Sequence, residues 1–144
     1  MIIKVALSCV AVALGFGVLT GGAATAGEST AFASVRIVDR PAVLRADGGV
    51  RLAIAARCDP NLQAFELDVS VAQYRASGFL FRLAPPAVVL CDGFRHRQRV
   101  IVYPESGTFA PGNADVSVFV GFYDPQADQD LAREDAATLT VVKK

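Results

Sequence analysis

The feature that most constrains this chain is an alternation of apolar and polar residues with a period of two. In residues 50–58 every second position is Val, Leu, Ile, Ala or Cys, and the positions between carry arginine or alanine. The same period recurs in residues 65–72 and 115–122. Successive side chains of a β-strand point to opposite faces, so each segment is predicted to be a strand with one buried face. No segment has a convincing long helical period, although residues 127–137 are compatible with one or two helical turns.

Turn residues separate these segments at close spacing. Asp47-Gly48 and Asp92-Gly93 each lie between strand candidates, and Asp-Gly supplies the positive φ angles of tight turns, which predicts two hairpins. Shorter strand candidates are residues 33–38, 42–46, 78–83, 87–91, 95–103 and 137–142. Together these segments predict an all-β fold, an antiparallel β-sandwich of about seven to nine strands.

The first 26 residues have the composition of a secretory signal peptide. A short basic start precedes an apolar run over residues 5–19, and Ala24-Thr25-Ala26 is a small-residue cleavage site. Gly21 and Gly22 end the apolar run before it reaches the roughly 20 residues of a membrane-spanning helix. We therefore expect a signal peptide at 1–26 and a secreted domain at 27–144, outside the cell or in the cell envelope, without a membrane span in the mature chain.

The cysteines agree with export. Cys9 lies inside the predicted signal peptide, which leaves Cys58 and Cys91 in the mature chain. An even pair in an oxidising compartment indicates one disulfide, and two separate buried thiols are the alternative.

Two short motifs carry a resemblance to a known group of proteins. The run Ser-Gly-Thr-Phe-Ala-Pro-Gly-Asn-Ala at 106–114, which leads into Val116, and the Cys91-Asp92-Gly93 turn resemble small secreted immunoglobulin-like domain proteins of actinobacteria that have no assigned function. The resemblance covers residues 35–142 and implies an immunoglobulin-like fold and an extracellular location. It transfers no catalytic residue. The chain departs from the antibody pattern because it has no tryptophan and has Val89, not tyrosine, two residues before Cys91.

The composition offers little for catalysis or metal binding. His96 is the sole histidine, and the charges of Arg95 and Arg97 beside it disfavour its protonation as a base. One histidine and two paired cysteines do not form the tetrahedral shell of zinc. We therefore expect a non-enzymatic protein with no cofactor and no metal. A small hydrolase that uses paired carboxylates such as Glu66 and Asp68 is the alternative.

A second acidic group lies near the C-terminus. Residues 124–135 contain five carboxylates, which could ligate calcium through oxygen atoms but lack the spacing of an EF-hand. We expect a solvated loop there. The five are Asp124, Asp128, Asp130, Glu134 and Asp135.

Apolar residues outside the main strand faces allow two interpretations. Phe79, Leu80 and Phe81 form one cluster, and Phe119 and Tyr123 lie opposite the apolar face of their strand. Large apolar residues are normally buried, so neighbouring strands or loops are expected to cover them. Otherwise they mark a surface for a partner.

The polar feature with the clearest geometry is an arginine row. Arg95, Arg97 and Arg99 alternate with other residues, so in a strand their side chains share one face at spacings of about 6–7 Å. Either acidic neighbours such as Glu66 and Asp68 neutralise the row, or it contacts an anionic partner.

The balance between positive and negative residues bears on which class of partner the protein binds. The chain has 14 Lys and Arg against 14 Asp and Glu, which disfavours a nucleic-acid binder driven by overall charge. The resulting hypothesis is a secreted binding module for an unknown protein or an anionic envelope polymer. A structural or protective exported protein without a defined ligand is the alternative.

Overall fold

The computed structural model describes residues 29–83 and 89–144. The predicted signal peptide at 1–26 and part of the predicted strand at 87–91 lie outside the described residues. The described chain is all-β, with nine strands and no helix. The strands are β1 Ala33–Ile37, β2 Ala42–Leu44, β3 Val50–Cys58, β4 Gln63–Gln73, β5 Ala76–Leu83, β6 Arg95–Val102, β7 Pro104–Ser106, β8 Gly112–Asp124 and β9 Gln129–Lys143.

The strands pair in two groups that β2 joins. In the first group β3 pairs antiparallel with β1 and β2 along one edge and with β6 along the other. In the second group β9, β8, β4, β5 and β7 follow one another in antiparallel pairs. The strand β2 also pairs with β9, in parallel. Residues 38–41 separate β1 from β2, and Pro41 at the end of this segment cannot donate a ladder hydrogen bond.

Both groups of strands bury one face in the same core. The inward residues of β3 and β6 belong to one cluster with those of β4 and β8, and Phe122 is its largest fully buried side chain. One shared core beneath two strand groups is consistent with a β-sandwich. The outward faces of the two groups are therefore separate surfaces on which partners can be sought.

The all-β prediction is confirmed, and the period-two segments are the strands β3, β4 and β8. The helical alternative for residues 127–137 is wrong, because β9 begins at Gln129. The expectation of a solvated loop over the carboxylates of 124–135 is wrong for the same reason. Pairing with β8 extends from Gln129 to Val141 and holds most of this segment in extended conformation.

The two Asp-Gly turns differ. The hairpin at Asp47-Gly48 is confirmed, because it joins β2 to β3 and Gly48 has a φ of 84°. The prediction of a second hairpin at Asp92-Gly93 is wrong for the strand before the turn, because residues 89–91 are not in a strand. Gly93 has a positive φ, but its N–H donates to the carbonyl of Cys58, which docks the turn on the end of β3.

The disulfide prediction is confirmed. Cys58 and Cys91 are bonded with an S–S distance of 2.08 Å, and the bond ties the end of β3 to the segment before β6. In the described ranges, 29–83 and 89–144, no helix has the length and apolar character needed to cross a membrane.

Candidate functional site

The arginine row lies on the outward face of β6. Arg95, Arg97 and Arg99 are exposed, and the residues between them turn towards the other side of the strand. The register extends the row across the neighbouring strands, because Ala55 of β3 pairs with Arg97 on one side and with Arg36 of β1 on the other. Four arginines from two strands thus lie around the outward alanines of β3.

These small alanines leave space between the arginines. A pocket of about 240 Å³ lies over Ala55, and the side chains of Arg36, Arg95 and Arg97 line it. Ser34 adds a hydroxyl group to the lining. The pocket therefore offers guanidinium donors from two directions to a group that enters it.

One carboxylate, that of Asp39, also lines the pocket, but no ion pair joins it to the arginines there. Over the part of the chain that the structure describes, two ion pairs occur, Arg45–Asp47 and His96–Asp92. Neither involves an arginine that lines the pocket. The alternative that acidic neighbours neutralise the row is wrong for Glu66 and Asp68, because both lie on β4, which pairs with β5 and β8.

Two further arginines border the row on β3. Arg51 pairs with Ile101 and shares the outward side of the alanines. The Nε of Arg57 donates to the carbonyl of Gly93 at 2.8 Å, so this side chain is already engaged. We call the outward set the basic face. It comprises Arg36, Arg51, Arg95, Arg97 and Arg99.

His96 lies on the other side of β6 and stabilises a turn. Its Nε2 is 2.8 Å from both carboxylate oxygens of Asp92. The same carboxylate accepts the backbone N–H of Phe94 at 2.9 Å. These contacts lower the pKa of Asp92, with the bond from Phe94 the largest cause and the bond from His96 the next. The geometry assigns His96 to the turn that carries Cys91.

Among the five carboxylates of residues 124–135, Asp124 and Asp135 have separate structural contacts. Asp124 is buried at the β8–β9 turn and accepts hydrogen bonds from the hydroxyl of Ser29 and the N–H of Gln126. The bond from Ser29 is the main cause of its lowered pKa. Asp135 accepts the N–H of Ile37 at 2.7 Å. Among the described residues no three His, Cys, Asp or Glu side chains converge as a metal site.

A second outward surface combines aromatic and acidic side chains. Phe79 and Phe81 of β5 are 45% and 48% exposed, and their stacked rings have centroids 6.2 Å apart. The expectation that neighbouring strands cover them is wrong, although Leu80 between them is half-buried. Beside this pair the register places Asp68 of β4, which pairs with Phe81 on one side and with Phe119 of β8 on the other.

Sequence reasoning missed this combination because its members lie on four strands. The register places Glu66 opposite Leu83, and Phe119 opposite Glu134 of β9. We call the set the aromatic-acidic face. It comprises Phe79, Phe81, Leu83, Glu66, Asp68, Phe119 and Glu134.

The carboxylates of this face are poorly compensated. The Oδ1 atom of Asp68 is buried and has no hydrogen-bond partner. The pKa of Glu66 is raised, first by burial and second by the negative charge of Asp68. An ionised carboxylate that is buried or half-buried without a partner destabilises the folded state. The negative charges of this face therefore lower the stability of the protein.

We expect Glu66→Gln to raise the melting temperature at pH 7. A raised pKa in the folded state means that ionised Glu66 destabilises the fold, and this penalty appears as the pH rises through the folded-state pKa. Below the unfolded-state pKa the carboxyl group is protonated in both states and the two proteins should melt alike. Thermal unfolding of both proteins between pH 3 and pH 7 measures the difference in melting temperature. A stabilisation that is equal at pH 3 and pH 7 would contradict the electrostatic cause.

Comparison with known proteins leaves the site to be interpreted from its geometry. No protein-family model matches the chain, and no curated protein matches it.

Proposed function

We propose that this chain is a secreted, non-enzymatic immunoglobulin-like module whose basic face binds an anionic partner, an envelope polymer rich in phosphate or carboxylate groups. The observation that carries the proposal is the pocket in which Arg36, Arg95 and Arg97 converge and make no ion pair in the described chain, although the carboxylate of Asp39 also lines it. Neighbouring guanidinium groups repel one another, so a row of this kind is costly unless a ligand offsets the charge.

The chemistry of arginine selects the class of ligand. A guanidinium group presents a planar fork of donors that matches the oxygen atoms of phosphate and carboxylate groups. Arginines at every second position repeat at about 6–7 Å along a strand, which suits a polymer with regularly spaced anionic groups. The pocket over Ala55 admits one such group, and Arg99 extends the surface beyond it.

The fold and the disulfide support the secreted, immunoglobulin-like assignment. A disulfide persists in oxidising compartments and is rare in the cytosol. In immunoglobulin sandwiches the first, second and fifth principal strands share one sheet, and here β1, β3 and β6 pair in that manner. The pairs β9–β8, β8–β4 and β4–β5 resemble the opposite sheet.

Binding to soluble polyanions tests the proposal. The variant Arg95→Ala/Arg97→Ala/Arg99→Ala should bind a poly(glycerol phosphate) probe at least about tenfold more weakly than the wild type at physiological ionic strength, because it lacks most of the donors. Titration calorimetry measures the affinity. Poly-L-glutamate as a second probe distinguishes a phosphate partner from a carboxylate partner.

A matched variant controls for net charge. Arg75→Ala/Arg82→Ala/Lys144→Ala removes the same number of positive charges from exposed positions outside the basic face. It should retain wild-type affinity. Equal weakening in both triple variants would show that only overall charge matters, and equal retention in both would overturn the basic face as the site.

A further inference from the structure

The geometry points to a second partner for the basic face, another copy of this chain. We infer that the aromatic-acidic face of one copy docks on the basic face of the next. The inference rests on the proposed function in one respect, because both use the basic face. It assigns a binding role to the surface around Phe79, Phe81 and Asp68, which the proposed function leaves without one.

Charge complementarity carries the first step. The arginines of the basic face make no ion pair in the described chain, and neither do Glu66 and Asp68 of the aromatic-acidic face. Arg82 and Arg133 adjoin the acidic strand group, but they pair with the inward residues Leu67 and Val120. Each face therefore lacks the charge that the other supplies.

The periodicity of the two faces also matches. Glu66 and Asp68 are two residues apart on β4, as Arg97 and Arg99 are on β6. Side chains two apart on a strand repeat at about 6–7 Å, so two carboxylates can meet two guanidinium groups in one register. Charge-assisted hydrogen bonds between guanidinium and carboxylate groups are strong and directional, so they fix orientation as well as affinity.

The apolar side chains give the two faces complementary shapes. Phe79 and Phe81 are exposed side chains on the acidic surface, whereas Ala53 and Ala55 form a low strip between arginines on the basic surface. An aromatic ring seated on this strip would lie beside guanidinium groups, an arrangement that cation–π attraction favours. The contact would also bury apolar area that is now exposed to water.

The arrangement predicts a heterologous contact. Two acidic surfaces or two basic surfaces would repel each other, so an isologous dimer through either face is disfavoured. A heterologous contact leaves one free face of each kind on a dimer, and further copies can add to it. An anionic polymer on the basic face would compete with this assembly.

Two variants that each lose one face provide the test. Glu66→Gln/Asp68→Asn removes the negative charges, and Arg95→Ala/Arg97→Ala/Arg99→Ala removes most of the positive ones. In sedimentation velocity at low salt, the mass of the wild type should rise with concentration and each variant alone should remain monomeric. An equimolar mixture should form a dimer that grows no further, because each variant keeps the face that the other lacks.

The controls separate this contact from general attraction between charges. Glu105→Gln/Asp59→Asn removes two carboxylates elsewhere and should assemble like the wild type. Phe79→Ser/Phe81→Ser should lose assembly although its charge is unchanged. Raising the salt to about 0.15 M should weaken the assembly, because the screening length falls to about 8 Å.

The outcomes distinguish the two proposals. A wild type that stays monomeric, or a variant mixture that forms no dimer although the wild type assembles, overturns this inference. The variant Glu66→Gln/Asp68→Asn keeps the basic face, so it should still bind poly(glycerol phosphate). Binding without assembly therefore overturns the inference alone, and assembly without polymer binding overturns the proposed function alone.

Discussion

Replacing both Cys58 and Cys91 by alanine should lower the melting temperature by roughly 10–20 °C. The bond closes a loop with a sequence separation of 33. In the chain-entropy model a loop of this size contributes about 3.7 kcal/mol by restricting the unfolded chain. The sulfur of Cys58 is also fully buried, so its loss removes core contacts. Thermal unfolding followed by circular dichroism measures the change.

Reducing agent provides the control for this prediction. It should lower the melting temperature of the wild type towards that of the double variant and leave the double variant unchanged. A shift below about 3 °C in the double variant would mean that the loop closure contributes little to stability. Thiol titration of the unfolded, unreduced wild type should detect neither cysteine.

The strands with one solvent-facing side were predictable from sequence. In β3 the burial alternates at nearly every residue, because its outward face carries arginine and alanine while its inward face enters the core. The first half of β9 was not predictable. From Gln129 to Ala136 its residues are half-buried or exposed, so no apolar period marks them. Pairing with β8 in a hairpin determines their conformation, and no apolar alternation within the segment itself indicates that pairing.

The basic face likewise has one part that was predictable from the sequence and one part that was not. Arg95, Arg97 and Arg99 share one strand, so the period of two was enough to place them together. The contribution of Arg36 depends on the register of β1 and β6 on either side of β3, which no local pattern specifies.

The aromatic-acidic face was less predictable from the sequence than the basic face. Asp68, Phe81 and Phe119 become neighbours only through two pairings of β4. A carboxylate between two phenylalanines has no signature in any one segment. The sequence offered one hint, because Phe79 and Phe81 are two positions apart and therefore point to the same face of a strand. The general preference of large apolar residues for burial led instead to the expectation that neighbouring strands cover them.

The core that presents both faces should depend strongly on Phe122. This side chain is fully buried on β8, so Phe122→Ala should lower the free energy of unfolding by about 3–5 kcal/mol through lost burial and the cavity left behind. Phe94→Ala makes the same chemical change at a residue that is 73% exposed, and it should change the stability by less than about 0.5 kcal/mol. Equilibrium unfolding in urea measures both values. Equal destabilisation by the two substitutions would contradict the assignment of Phe122 to the shared core, and with it the separation of the basic and aromatic-acidic faces that this core maintains.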